Sequence, residues 1–330
     1  VDVLGLTFSE AVERTGASAA DVPRLRKAYA RAMRGEADGG PFRADVLPVV
    51  RHVSDGDLTK FVQRTHDGLE TETVIVPMRG KDRSWKTLCV SSQIGCAMGC
   101  VFCETGQLGF IRNLTAAEIV GQLLAARRLF GGNIRNVVFM GMGEPLDNFD
   151  AVAQAVRVLS ESSGPAIAKG RIAISTVGRV NGIRRLAALG WRRINLAVSL
   201  NAPNDEVRSR IMPINRVEPM RALRRALLEF PLRRCGAIMI EYVLIPGVND
   251  AREHAGELAD YLRGIRCCVN VIPYNPRHDS PWEAPTEKSV VQFLDWLTRA
   301  GQYCKRRVTK GRDHMAACGQ LGNRELVRTR

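Results

Sequence analysis

Nowhere in the 330 residues does an apolar run approach the roughly 20 residues that a membrane-spanning helix needs. The N-terminal stretch VDVLGLTFSEAVERTG lacks a basic region followed by an apolar one, so no secretory signal is expected. Internal repeats and low-complexity tracts are absent too. These absences point to a cytoplasmic globular enzyme or binding protein, long enough for one barrel-sized domain and a smaller one.

Acidic residues are in short supply: 34 Asp and Glu against 48 Lys and Arg give a formal charge of +14. The excess is clustered. Residues 24–34, RLRKAYARAMR, carry Arg24, Arg26, Lys27, Arg31 and Arg34 with no acid. The tail adds Lys305, Arg306, Arg307, Lys310 and Arg312 against Asp313 alone in that stretch. Such patches suit a polyanion such as RNA, because neutralising phosphates supplies affinity independent of sequence.

Nine cysteines in a reducing compartment read as metal-binding or catalytic before they read as disulfides. Four fall between Cys89 and Cys103, and Cys318 stands near the C-terminus. Cys235, Cys267, Cys268 and Cys304, in or beside apolar or basic segments, read as structural thiols.

The first 60 or so residues have helical composition at Ser9–Arg14 and Asp21–Arg34, with a break from Gly35 to Pro41. They predict a helical accessory domain over residues 1–66, a candidate for RNA binding. Residues 67–90 read as two extended runs around a turn at Arg79-Gly80-Lys81-Asp82. Strand patterns then appear at 87–91, 136–140, 171–175, 193–199, 237–244 and 268–272. Helical patterns follow them at 115–130, 150–161, 181–189, 218–229, 251–263 and 286–300. Thr115 and Glu118 form a capping box at the first of these helices. Six strands alternating with six helices imply a parallel sheet wrapped by helices, and a partial (β/α)6 barrel over residues 67–330 is the expected architecture.

The loop after the first of these strands holds Cys96-Ala-Met-Gly-Cys100-Val-Phe-Cys103. Three thiolates so placed can ligate three irons of a 4Fe-4S cubane and leave the fourth iron open to an outside ligand. Gly95 and Gly99 let the loop wrap tightly, and Phe102 can shield the cluster from water. A structural zinc site with Cys89 as fourth ligand is the rival reading, although such sites more often pair their ligands two by two. Further on, VVFMGMGEP runs an apolar strand into a turn. Gly141 and Gly143 mimic a dinucleotide fingerprint whose third glycine is replaced by Leu146, while Glu144 suits the amino group of a bound amino acid. Ser175, Ser199 and Asn275 end or follow predicted strands, where a βα sheet places its ligand contacts.

With these segments assembled, residues 70–320 resemble the RlmN/Cfr family of radical S-adenosylmethionine (SAM) RNA methyltransferases. The resemblance rests on LCVSSQIGCAMGCVFC, FIRNLTAAEI, VVFMGMGEPLDNFD, IAISTVG, SLNAPNDEVR, IMPINR, IEYVLIPGVND, VIPYNP and AACGQL, all in the family's order. It implies a partial β6α6 barrel, a 4Fe-4S cluster on Cys96, Cys100 and Cys103, and two SAM molecules per turnover. It implies SAM contacts from Gly143, Glu144, Ser175, Ser199, Leu200, Asn201 and Asn275. Cys318 corresponds to the cysteine that becomes S-methylated, Cys89 to the thiol that resolves the intermediate through a disulfide, and Glu72 to the proton acceptor. In the family one SAM methylates the cysteine and a second yields the radical that activates that methyl group, which then joins an adenine ring carbon.

The resemblance further implies large-subunit ribosomal RNA as substrate, with transfer RNA as a further candidate, C2 ahead of C8 as the target carbon, a flavodoxin-type electron donor and a monomeric protein. Three positions depart from the family pattern: Asn201 replaces a histidine, Met315 replaces an acid three residues before Cys318, and Glu104 follows the cysteine motif where a small residue is usual. They leave room for a radical SAM enzyme acting on a peptide or metabolite. A non-enzymatic zinc protein that binds RNA is the third class.

Overall fold

The computed structural model describes residues 1–36, 39–80, 83–308, 310–311 and 314–322. The chain divides into two compact units: residues 1–94 with 111–172, and residues 95–110 with 173–322.

The first unit opens with helices α1 (Phe8–Glu13) and α2 (Val22–Arg34). Thr7 caps α1 through a reciprocal bond with Glu10, and Gly35 ends α2 in the left-handed region at φ 82°. α2 buries Leu25, Tyr29, Ala32 and Met33 and leaves its arginines outside. Strands β1 (Val49–Asp55), β2 (Leu58–Arg64), β3 (Glu70–Arg79) and β4 (Ser84–Cys89) form an antiparallel meander.

The expectation of helix up to residue 66 therefore holds only for its first half. Residues 49–64 are a hairpin, and β2 pairs with β3 from Thr59↔Ile75 to Arg64↔Glu70 across the expected boundary. The signal for it was Asp55-Gly56-Asp57 between the runs VVRHVSD and LTKFVQR, with Gly56 at φ 54° making the turn. Lys81 and Asp82 of the expected β3–β4 turn lie outside the described residues.

After β4 come β5 (Gln93–Gly95), α3 (Glu104–Gln107) and β6 (Phe110–Asn113). The first unit then adds α4 (Ala116–Phe130), β7 (Ile134–Phe139) and α5 (Phe149–Leu159). β4 and β7 are parallel, so the meander leads into a βα repeat. The Thr115–Glu118 capping box forms as expected: Glu118 N–H donates to Thr115 Oγ1 at 3.2 Å, and Thr115 N–H donates to Glu118 Oε2 at 2.8 Å.

The second unit continues the repeat with β8 (Ile172–Thr176), α6 (Val180–Ala188), β9 (Asn195–Ser199), α7 (Asp205–Ile211), α8 (Met220–Glu229), β10 (Ile238–Leu244), α9 (Arg252–Leu262), β11 (Cys267–Pro273), α10 (Glu287–Arg299) and β12 (Cys304–Arg306). All neighbouring pairs from β8 to β12 are parallel. Apolar runs such as Ile238–Leu244 are buried on both faces, as parallel strands under helices must be. Tyr242 of β10 stacks on Phe293 of α10, with ring centroids 5.3 Å apart. Among the described residues no helix is long and apolar enough to cross a membrane.

Candidate active site

In the second unit the Cys96–Cys103 loop is fixed mainly by its backbone. The Cys96 amide donates to Gly109 O at 2.8 Å, Val101 N–H to Ile211 O at 3.1 Å and Cys103 N–H to Cys100 O at 3.1 Å. Gln107 Nε2 and Arg277 Nε donate to the carbonyls of Cys100 and Val101 at 3.1 and 2.8 Å. Gly99 turns the loop at φ 62°, a left-handed conformation costly for any other residue type but Asn or Asp.

Cys96 and Cys100 are buried among Met98, Phe102, Ile211, Met212 and Tyr274. Burial pushes the Cys103 thiol up from its usual range, while hydrogen bonds from the backbone of Gly106 and Thr105 pull it down. Desolvated sulfurs in an apolar shell, one of them facing amide donors, suit thiolates on an iron-sulfur cluster.

The strand ends of the same unit carry the other expected contacts. Ser175 of β8 pairs with Ala197, and Ser199 two residues further on pairs with Glu241, so both serines point to one face. Asn201 is buried in the left-handed region at φ 57°, which Asn tolerates better than most residues. Its Oδ1 accepts from Val243 N at 2.9 Å and its Nδ2 lies 3.4 Å from Met212 Sδ, so its side chain is engaged inside the fold. Asn249 closes this corner, donating to the carbonyls of Asn201 and Val243 at 2.7 Å each.

The expected methyl-accepting segment meets these elements directly. Asn275 Nδ2 donates to Cys318 O at 3.4 Å, and Gln320 Nε2 to Pro276 O at 2.9 Å. Glu104, next to the third cluster cysteine and itself buried, donates its amide to Gly319 O at 2.7 Å. Thr105 Oγ1 bonds Leu321 O. Cys318 is half-buried. Met315 takes a left-handed φ of 49°. No disulfide joins any pair of cysteines among the described residues.

The remaining expected residues stand in the first unit. The Gly-Glu-Pro turn packs on Ser91–Gln93: Glu144 N–H donates to Gln93 Oε1 at 2.8 Å, and Met142 N–H to Ser91 Oγ at 2.9 Å. Gly143 sits at φ 96°, and a Cβ there would fall 2.5 Å from Gln93 Cβ, so only glycine fits. Glu144 is buried, and its Oε1 accepts from Leu146 N at 2.9 Å. Cys89 opposes Val74 in the β3–β4 register, which puts it on the same sheet face as Glu72. Lys60 opposes Val74 from β2, and its Nζ lies 3.0 Å from Glu72 Oε2, so Lys60, Glu72 and Cys89 share that face.

Sequence reasoning missed the residues that hold this scaffold. Arg208, fully buried, donates to Leu200 O at 3.2 Å, to Asn215 Oδ1 at 2.9 Å and to Val177 O. Its burial lowers its proton affinity from the usual value. It thereby ties together the segments that follow β8 and β9. The motif SLNAPNDEVR contains it, but no local pattern shows its burial.

The expected basic segments differ in availability. On α2 the five cations are exposed, with Arg26 4.3 Å over the Phe8 ring and Arg34 paired with Glu36. In the tail Arg306 pairs with Glu287, and Arg307 lies 3.3 Å from Glu241. Arg312 and Asp313 lie outside the described residues.

Residues 90–261 match the radical SAM superfamily. The chain is 46% identical over 282 residues to "Probable dual-specificity RNA methyltransferase RlmN 1" of Protochlamydia amoebophila, covering 86% of this chain and 78% of that protein. It is 42% identical over 320 residues to the RlmN enzyme of Rhodospirillum rubrum, covering 89% and 73%. The crystal structure of a radical SAM methyltransferase from Sphaerobacter thermophilus superposes with a TM-score of 0.87 at 39% identity, covering 97% of this chain and 99% of that one. The chain has the radical SAM α/β fold with a mostly parallel central sheet, and its cofactors are a 4Fe-4S cluster and SAM. It is a methyltransferase of the radical SAM superfamily and belongs within it to the RlmN family.

Proposed function

We propose that the protein methylates C2 of an adenine ring in large-subunit ribosomal RNA, with transfer RNA as a second substrate, through a methyl group carried on Cys318. The observation that carries this reading is the stitching of the Cys318 segment to the cluster loop. Gly319 and Leu321 accept from Glu104 and Thr105, and Asn275 holds the Cys318 carbonyl. A cysteine so placed, half-buried and free, suits a residue that is loaded from one SAM and then activated beside another.

Cys96, Cys100 and Cys103 would hold the cluster. Gly143, Glu144, Ser175, Ser199, Leu200, Asn201 and Asn275 would hold SAM, with Asn201 shaping the corner by its left-handed bend as well. When bound, cluster and SAM would supply the radical chemistry that activates a methyl group carried on Cys318.

The chain's own residues do the rest. Adenine C2 is electrophilic, so methylation there needs a carbon held on sulfur rather than direct attack on SAM. Once that carbon is joined to the ring, the adduct must lose one electron, which the bound cluster would take back, and one proton, which Glu72 would accept. The Cys89 thiolate then attacks Sγ of Cys318: an S–S bond forms, the S–C bond breaks, and its electron pair leaves with the carbon, which takes up a proton to become the methyl group. The common face of Glu72 and Cys89 in the β3–β4 register supports this division of labour. The exposed cations of α2, in the segment read as an accessory domain, would bind RNA phosphates. A flavodoxin-type protein would reduce the cluster in the cytoplasm.

Mass spectrometry of nucleosides after reaction with ribosomal and transfer RNA tests the reading. 2-Methyladenosine is the expected product. 8-Methyladenosine would move the reading to the C8 carbon, and unmodified RNA alongside normal SAM cleavage would overturn it.

A further inference from the structure

In a parallel sheet every strand begins at the same edge. In the second unit three successive strands begin from arginine: Arg192 and Arg193 precede β9, Arg233 and Arg234 precede β10, and Arg263 and Arg266 precede β11. The registers Ala197↔Met239 and Ile238↔Cys267 set these starts side by side. All six arginines are exposed.

The edge is also built, with backbone contacts that fix where the charges stand. Arg266 donates to the carbonyls of Arg234 and Arg233 at 2.9 and 2.8 Å, and Arg224 of α8 donates to those of Tyr261 and Arg263 at 2.9 and 2.6 Å. The starting segments 190–194, 231–237 and 263–266 contain no carboxylate. Asp260 pairs with Arg263, and Glu229 lies 3.9 Å from Arg184.

An aromatic residue completes the row. Tyr303 immediately precedes β12, its carbonyl accepts from Val269 N at 3.0 Å, and its side chain is 69% exposed. Clustered arginines with an exposed ring are what single-stranded or looped RNA engages, phosphates on the cations and a base on the ring.

This edge is remote from the strand ends that carry Ser199, Leu200 and Asn275. The seven residues of β10 alone span about 20 Å at roughly 3.3 Å per residue. An RNA touching both ends must reach well beyond the reacting base. We propose that the N-terminal edge of β9–β12 is a second footing for the RNA substrate, holding phosphates through Arg192, Arg193, Arg233 and Arg234 and stacking a base on Tyr303. The proposal rests on the RNA reading above and adds that recognition extends far from the methylated adenine.

The test compares two RNAs on the cluster-loaded enzyme: a short stem-loop carrying the target adenine, and a multi-helix ribosomal fragment containing that same loop. The variant R192Q/R193Q/R233Q/R234Q replaces exposed charge by a shorter neutral polar group and spares Arg266, which bonds the loops together. Its affinity for the long fragment should fall about 10- to 100-fold, and its log K against log salt slope should flatten by about 0.7–0.9 per lost contact. Tyr303→Ala should weaken the long fragment by about tenfold. Affinity and turnover on the short stem-loop should not change. Cys235, exposed between Arg234 and Gly236, provides a second readout: a photo-crosslinker attached there should capture the long fragment and not the short one. Unchanged affinity of the quadruple variant for the long fragment overturns the footing, including the case in which the edge serves a protein partner. Equal losses for both RNAs overturn it as well. Wild-type protein that binds neither RNA overturns the substrate reading, and the footing with it.

Discussion

At their C-terminal ends β9, β10 and β11 run into buried polar residues that bond to one another and to backbone, whereas at their N-terminal ends they begin from exposed arginines. At the first end Asn201, Asn249 and Asn275 are each less than a tenth exposed, and the fully buried Arg208 donates only to carbonyls and an amide oxygen. At the second, six arginines point outward from short turns. The same strands thus present a pre-set, low-dielectric end suited to positioning a cofactor and a wet cationic end suited to counterion exchange. Precision at the first comes from hydrogen bonds that cannot be given up cheaply, and tolerance at the second from charges that act through screening. Substitutions should therefore be severe at one end and graded at the other.

The largest effect is expected at the cluster loop. Replacing any one of Cys96, Cys100 or Cys103 by Ala should abolish 5′-deoxyadenosine formation, read by chromatography alongside iron content. Full SAM cleavage in such a variant would remove the cluster from these three residues.

Next comes Arg208→Met, which leaves the acceptors at Val177, Leu200 and Asn215 without their donor. A loss of about 3 kcal/mol in denaturant unfolding is expected, since each orphaned buried acceptor costs roughly 1–3 kcal/mol. A loss below about 0.5 kcal/mol, the range of ordinary surface changes, would erase the contrast between the two strand ends.

Gly143→Ala sharpens the comparison within the first unit. The left-handed φ and the 2.5 Å approach to Gln93 require the turn to shift. SAM affinity should drop about tenfold, equivalent to about 1.4 kcal/mol, while RNA affinity stays unchanged. Wild-type SAM binding in calorimetry would show that the turn does not shape the site.

The smallest effect concerns an ion-paired corner of the first unit. Burial pushes Glu118 up, but the bonds from Arg112 and the Thr115 amide outweigh it, and bonds from Arg112 and Thr65 hold Asp67 well below the carboxylate range. Lowered carboxylate pKa values stabilise the fold above the unfolded value of about 4, and this stabilisation is lost as pH falls through the folded values. Arg112→Gln should thus cost about 1 kcal/mol at pH 7, allowing for the partial exposure of the group, and much less near pH 3. Equal losses at both pH values would assign the effect to packing.

Much of this was legible beforehand because it is written in periodicity. All six βα units fall within three residues of where alternating strand and helix patterns put them, and the cysteine spacing marked the cluster loop. The β1–β2 hairpin was missed because a short chain of mixed polarity before it read as helix, and the Gly56 turn was not weighed. Arg208 and Asn249 were missed because burial and bonding partners are properties of the fold. The arginine edge stayed hidden for a related reason: its residues are separated by about 40 and 30 positions along the chain and meet only through parallel register.

The central claim is that Cys318 carries the methyl group and Cys89 releases the product, and one experiment addresses it directly. Cys89→Ala should leave RNA attached to the protein through a methylene on Cys318, visible with labelled RNA as a band that survives heat and denaturant. The double variant Cys89→Ala/Cys318→Ala should show no such band. Free methylated RNA from Cys89→Ala at near wild-type rate, with no adduct, would contradict the account.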